Sequence, residues 1–324
     1  FIVWEPFEGE PQSWTYGQFH HAVGRIAGGL VRRGVQAGDR VLIHLDNGPD
    51  SLLAWYACGW IGAVAVTTNA RAADDELSYY ADHCGAVAAI TQPRFAERVA
   101  RCCRGLRWQV VTATDSGAPA DRPVEPGQRF ETLDAEPPPR RPPDPLAPCS
   151  VQYTSGTTSR PKAVLWTHAN ALWGAKINAA HQDLHLGDVH QTYLPLFHTN
   201  ALAYSMLATL WVGATCIIQP RFSASRFWPV ALAHGATWTS TIPFCMKALL
   251  ERDLALGGTQ AAGAQRFGQA EVAVERCRRV GQRGEQVRHH AELGFDGLEC
   301  GSGSGVSGVD GQGGDLGHVY LRSG

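Results

Sequence analysis

Residues 153–162 read YTSGTTSRPK. Thr154, Ser155, Gly156, Thr157, Thr158 and Ser159 follow one another without an apolar residue, and Pro161 and Lys162 close the run. Hydroxyls and glycine in that density cannot build a core. A strand that ends in such a turn exposes backbone N–H groups beside side-chain O–H donors. That arrangement suits phosphate oxygens, and a lysine adds a point charge. Each charge-assisted hydrogen bond is worth about 1.5–3 kcal/mol, so a handful would hold a triphosphate. The stretch is not a Walker A loop, because G-x-x-x-x-G-K-[ST] does not occur in the chain. The competing reading is a solvated Ser/Thr surface loop.

Around this stretch lie 324 residues, enough for one large domain or two of ordinary size. Hydrophobic residues make up 44% and charged residues 18%, a globular balance that supplies a sizeable core. A net charge of −2 and a pI near 6.7 argue against a general nucleic-acid binder. No apolar run reaches the roughly 18 residues of an integral membrane segment. The nine cysteines are scattered, with no C-x-x-C pair, which points to reduced thiols and a cytoplasmic location rather than disulfides or zinc. The first residue is Phe1, and Phe1-Ile2-Val3-Trp4 already reads as a strand, so the chain is expected to start inside a domain.

From residue 16 to 113 helix-like and strand-like pieces alternate. Phe19, Val23, Ile26, Leu30 and Val31 keep helical spacing, 40–45 reads as a strand, and 51–60 as an apolar helix. Strand 62–67, helix 74–83 with acidic residues in its first turn, strand 87–91, helix 94–101 and strand 108–112 follow. Such alternation predicts an α/β fold of mostly parallel sheets sandwiched by helices. Prolines crowd 117–148, which reads as a long exposed connection. The alternation then resumes: strand 151–154, helix 167–180, strand 191–194, helix 201–211, strand 214–218, helix 223–234, strand 236–242, and a helix from Pro243.

Near Leu254 the grammar changes. Residues 255–324 contain no Pro, Lys, Asn, Ile, Met or Trp, and about a quarter are Gly against the usual ~7%. The expectation is a Gly/Arg-rich tail of doubtful fold, disordered or produced by a shifted reading frame. Translating the other two frames tests the second idea: it fails if neither restores α/β periodicity after residue 254.

Tyr153–Lys162 resembles the phosphate-binding signature of the adenylate-forming (AMP-binding) superfamily, [YF]-T-S-G-[ST]-T-G-x-P-K. That superfamily includes acyl-CoA synthetases, firefly-type luciferases and peptide-synthetase adenylation domains. The chain departs from the pattern at Ser159, where the family has Gly. Leu194-Pro-Leu-Phe-His-Thr-Asn200 is similar to the family's P-[LM]-[FY]-H stretch, and Val164-Leu-Trp-Thr-His-Ala-Asn170 to its V-x-x-[ST]-H-x-N helix entry.

The resemblance spans residues 1–254 and implies a partial large N-terminal domain of an adenylate-forming enzyme, without the mobile C-terminal lid. It implies a carboxylic acid, ATP, Mg²⁺ and coenzyme A as reactants of an acid–thiol ligase. Thr154, Ser155, Gly156, Thr157 and Thr158 would grip the β- and γ-phosphates, with Lys162 supporting the loop or the leaving pyrophosphate. His198 would lie beside the carboxylate and the α-phosphate; the other reading of His198 is a cap on the following helix. Trp238 and Thr239 would line the acyl pocket, or serve a structural strand. The family's aromatic-Gly-x-Thr-Glu stretch is missing from the sequence, so an inactive remnant that keeps only the phosphate loop is the alternative to a working acyl-CoA synthetase. The resemblance leaves the acid open among fatty, aromatic and carnitine-like classes. Gly24, Gly28 and Gly29 fall inside the first helical pattern and read as a close-packing face.

Overall fold

The computed structural model describes residues 1–116, 118–119, 126–154, 160–255 and 319–322. The chain divides into two compact units, Phe1–Ser240 and Thr241–Gly324.

In the first unit, β3 (Arg40–His44), α2 (Pro49–Ile61), β4 (Val64–Thr67), α3 (Asp74–Cys84), β5 (Ala86–Thr91), α4 (Pro93–Cys102) and β6 (Trp108–Val111) follow one another as strand and helix. Ahead of them come β1 (Ile2–Trp4), β2 (Gln12–Trp14) and α1 (Tyr16–Arg32). Beyond them lie the short strands β7 (Thr114–Asp115), β8 (Ala118–Pro119) and β9 (Gln128–Arg129), then β10 (Pro148–Thr154) and β11 (Lys162–Thr167). One seven-stranded sheet has the order β11-β10-β4-β3-β5-β6-β9, parallel throughout except for the β10–β11 hairpin. The chain passes from β3 to β4 on one side and then to β5 on the other. Crevices that receive ligands form at the carboxyl ends of strands where the order reverses in this way.

The second sheet is built from β12 (Val189–Thr192), β13 (Thr215–Ile218) and β14 (Trp238–Thr241), joined by β1 and β2. β12 is parallel to both β13 and β14, β1 is parallel to β13, and β2 is antiparallel to β1. Its helices are α5 (His168–His181), a π-helical stretch Asn200–Leu207, α6 (Ala208–Val212) and α7 (Ala224–His234).

The local reasons are readable in the chain. Thr15 and Gln18 form a capping box on α1, and Thr167 and Asn170 form one on α5. The second box explains why a T-H-x-N order opens that helix. α3 and α7 stop at Gly85 and Gly235, whose φ of 61° and 62° glycine adopts without steric cost. Leu42, Val66, Leu77, Phe95, Val99 and Val151 form a core between the seven-stranded sheet and the pair α3 and α4. On its other face, α2 is held by Trp55, whose indole N–H donates to Ser150 Oγ at 3.1 Å.

Residues 117–148 differ from the expected exposed connection. β9 extends the sheet beside β6, and Phe130–Leu133 form a 3₁₀ turn with Phe130 and Leu133 buried. This turn and the following residues lie against the glycine face of α1. A Cβ on Gly29 would come within 1.8 Å of the Leu133 carbonyl oxygen, and one on Gly28 within 2.1 Å of that of Glu136. The close-packing reading of that glycine face therefore holds. β11 was not expected as a strand. It is the last strand on its side of the sheet among the described residues and exposes Val164 and Leu165.

In the second unit, α8 (Pro243–Ala255) carries a Lys247–Glu251 ion pair at 3.7 Å. Residues 319–322 form a strand. The tail from 256 to 318, where the sequence suggests a foreign reading frame, lies outside the described residues.

Candidate functional site

β10 and β11 form an antiparallel hairpin whose register sets Thr154 opposite Lys162 and Tyr153 opposite Ala163. Both Thr154 and Lys162 are exposed at the carboxyl edge of the sheet, and Thr154 Oγ1 donates to the Lys162 carbonyl at 3.5 Å. Ser155, Gly156, Thr157 and Thr158, the remaining residues of the expected phosphate grip, lie outside the described residues, as does Ser159.

The stems of this loop rest on α3. The Tyr79 hydroxyl donates to the Pro161 carbonyl at 3.1 Å, and the Arg160 guanidinium stands 5.3 Å from the Tyr79 ring centre. The Tyr153 ring packs on Tyr80 at 4.3 Å, and its hydroxyl donates to the Tyr80 carbonyl at 3.2 Å beside His83 Nδ1 at 3.1 Å. Burial pushes the Tyr153 phenol well above its ordinary pKa, so it stays a donor.

His198 lies on the turn that leaves β12. The turn is clamped by Asn47, which is 5% exposed. Its Nδ2 donates to the Leu194 carbonyl at 2.8 Å and the Gln219 carbonyl at 3.2 Å, while its Oδ1 accepts the Leu196 N–H at 2.8 Å. The His198 carbonyl accepts the Leu202 N–H at 3.1 Å, so its main chain does start the following helix. Its side chain stays on the surface beside the Phe197 ring at 4.3 Å, and partial burial holds the imidazole below its ordinary pKa. Next to it, the Thr199 hydroxyl donates to Gln152 Oε1 at 2.9 Å. Gln152 sits two residues before Thr154 on β10, so this bond ties the His198 turn to the root of the loop.

Trp238 and Thr239 are placed otherwise. Trp238 is 2% exposed with its ring 4.0 Å from that of His190, and the Thr239 hydroxyl donates to the Gln191 carbonyl at 2.7 Å. Both side chains are engaged inside the second sheet. Between the end of β3 and the Leu196–Phe197 turn lies a cleft lined by Leu45, Asp46, Trp55, Thr67 and Phe197. Its free space of about 20 Å³ is room for about one water molecule. Asp46 is engaged there: it pairs with the Arg94 guanidinium and accepts from Gln92 Nε2 at 2.9 Å and Ser116 Oγ at 2.5 Å. Among the described residues no group of three or more His, Cys, Asp or Glu gathers to hold a metal ion, and no helix is long and apolar enough to cross a membrane. The seven described cysteines are free.

Sequence reasoning overlooked Asn47, Gln152 and Tyr79. Nothing local marks them, because each acts on a segment tens of residues away or more.

The sequence pattern of the family described as AMP-binding enzyme matches residues 1–291, a stretch that runs past the change in composition at 254. The chain is 28% identical over 260 residues to a crotonobetaine/carnitine–CoA ligase of Proteus mirabilis, covering 77% of this chain and 49% of that protein. It is 30% identical over 256 residues to the protein of the same description in Escherichia coli O139:H28, again covering 77% and 49%. The chain thus spans about half the length of the curated relatives it matches. Among solved structures, o-succinylbenzoate CoA synthetase from Bacillus subtilis, in complex with its acyl-adenylate intermediate, superposes with a TM-score of 0.65 at 25% identity, over 78% of this chain and 47% of that one.

Proposed function

Since the chain belongs to the AMP-binding enzyme family, we propose that it serves the ATP-dependent activation of a carboxylic acid and its transfer to a thiol such as coenzyme A. A carboxylate oxygen attacks the α-phosphorus of ATP, the bond to pyrophosphate breaks, and an acyl-adenylate forms. The thiol sulfur then attacks the acyl carbon, AMP leaves, and the thiol proton passes to solvent.

Two anions must meet in the first step, and charge builds on the departing pyrophosphate, so fixed donors are needed where that charge develops. In this reading Thr154, Ser155, Gly156, Thr157 and Thr158 grip the β- and γ-phosphates. Lys162 neutralises the leaving group, and His198 orients the carboxylate. Mg²⁺ enters with ATP as part of the substrate complex. Trp238 and Thr239 line the acyl pocket. Residues 1–254 are read as part of the family's large N-terminal region.

The observation that carries the proposal is the hairpin that faces Thr154 with Lys162 at a carboxyl sheet edge, tied through Gln152 and Thr199 to the turn of His198. The test is carboxylate-dependent exchange of labelled pyrophosphate into ATP. Exchange that disappears in Lys162→Ala and Thr157→Ala supports it. ATP binding by folded protein without exchange for any acid would identify a nucleotide-holding remnant instead.

A further inference from the structure

We propose that Asn47 is a positioning residue for the carboxylate-activation step: its amide fixes the turn that carries His198 to the carboxyl ends of both sheets. The inference rests on the functional reading above and names a residue outside its binding loop.

The geometry is specific. Asn47 follows β3 of the seven-stranded sheet and precedes Pro49, the first residue of α2. Its three partners belong to the other sheet's exits: Leu194 and Leu196 lie just beyond β12, and Gln219 follows β13. Both amide hydrogens are used and the oxygen accepts one N–H. Aspartate supplies no donor for the two carbonyls, and leucine or alanine supplies neither donors nor acceptor. Glutamine would carry the amide one methylene too far. With Leu194 and Leu196 themselves buried, the main chain is immobilised up to residue 196. His198 is the next polar side chain to emerge, and Thr199 reaches Gln152 beside the phosphate loop. The loop itself is anchored separately, on Tyr79, Tyr80 and Tyr153.

A residue that only holds two sheets together would lower stability and leave each folded molecule equally active. A positioning residue separates the two substrates. Loss of the Asn47 amide should leave nucleotide grip intact and loosen the group that orients the acid.

The experiment compares the full chain with Asn47→Ala and Asn47→Ser in pyrophosphate exchange and in NMR titration of the His198 ring. The expected result is turnover reduced at least tenfold per folded molecule, KM for ATP within twofold of the parent, and a His198 apparent pKa moved toward the ordinary histidine value. Unchanged turnover, a KM for ATP that rises in step with its loss, or an unchanged His198 titration overturns the proposal. If the parent chain shows no exchange, the functional reading fails for it, and the ring titration then decides only whether the Asn47 amide sets the surroundings of His198. If neither variant folds, hydrogen exchange in the parent decides. Leu196 N–H should then be as protected as Gln191 N–H, and exchange at an open-loop rate overturns the clamp.

Discussion

At the scale of single residues, the site divides into side chains that announce themselves and side chains that do not. Thr154 and Lys162 stand eight positions apart within one signature, and the hairpin register brings them face to face. Asn47 reaches partners 147 and 172 positions away, and Tyr79 one 82 away, so no local pattern could have linked them to the site. Tyr79→Phe removes one donor from the loop's closing stem while keeping the ring under Arg160. A neutral hydrogen bond is worth about 1 kcal/mol, so the Kd for ATP should rise about fivefold, as measured by calorimetry. Ser159→Gly acts in the opposite sense. If that position needs a left-handed backbone, a non-Gly residue costs roughly 1–2 kcal/mol. The KM for ATP should then fall or stay level in pyrophosphate exchange, and a sharp rise would count against this loop geometry.

At the scale of elements, apolar spacing located the helices and strands of 16–113 within a few residues, because α1 buries one stripe and the central strands β3 and β4, buried on both faces, read as short continuous apolar runs. Two of the places where it failed have physical reasons. β11 is exposed along most of its length, so it lacks the alternation by which a half-buried strand is recognised. In 117–148 the prolines forbid long elements, yet Phe130 and Leu133 still bury themselves against α1. The contact at Gly29 gives a paired test. Gly29→Ala would force the Leu133 main chain away from α1 and should destabilise the fold by about 3 kcal/mol or fail to fold. Gly17→Ala, with nothing within 4 Å of the new methyl, should stabilise it by about 0.5–1 kcal/mol through helix propensity alone. Urea denaturation of both variants measures the difference.

At the scale of the whole molecule, strand–helix alternation was sufficient for the α/β class, whereas the division of strands between two sheets depends on long-range pairing that periodicity does not encode. Each sheet contains a buried histidine. Burial lowers His44, in β3, to a pKa of about 4, and His190, in β12, to about 3. The unfolded chain, with histidines near ~6.5, therefore binds protons that the folded chain refuses. This contribution to stability is fully present above the unfolded pKa and is lost as pH falls below it. From pH 7 to pH 5 each histidine should cost about 2 kcal/mol, seen as a lower urea midpoint. His190→Asn should flatten that dependence by about half. A separate consequence follows from the rim at β11, where Val164 and Leu165 are exposed along a strand that has one free ladder among the described residues. Such borders recruit further strands, so crowded solutions of this chain should turn turbid by edge-to-edge stacking. A lysine at position 165 should raise the concentration at which light scattering begins.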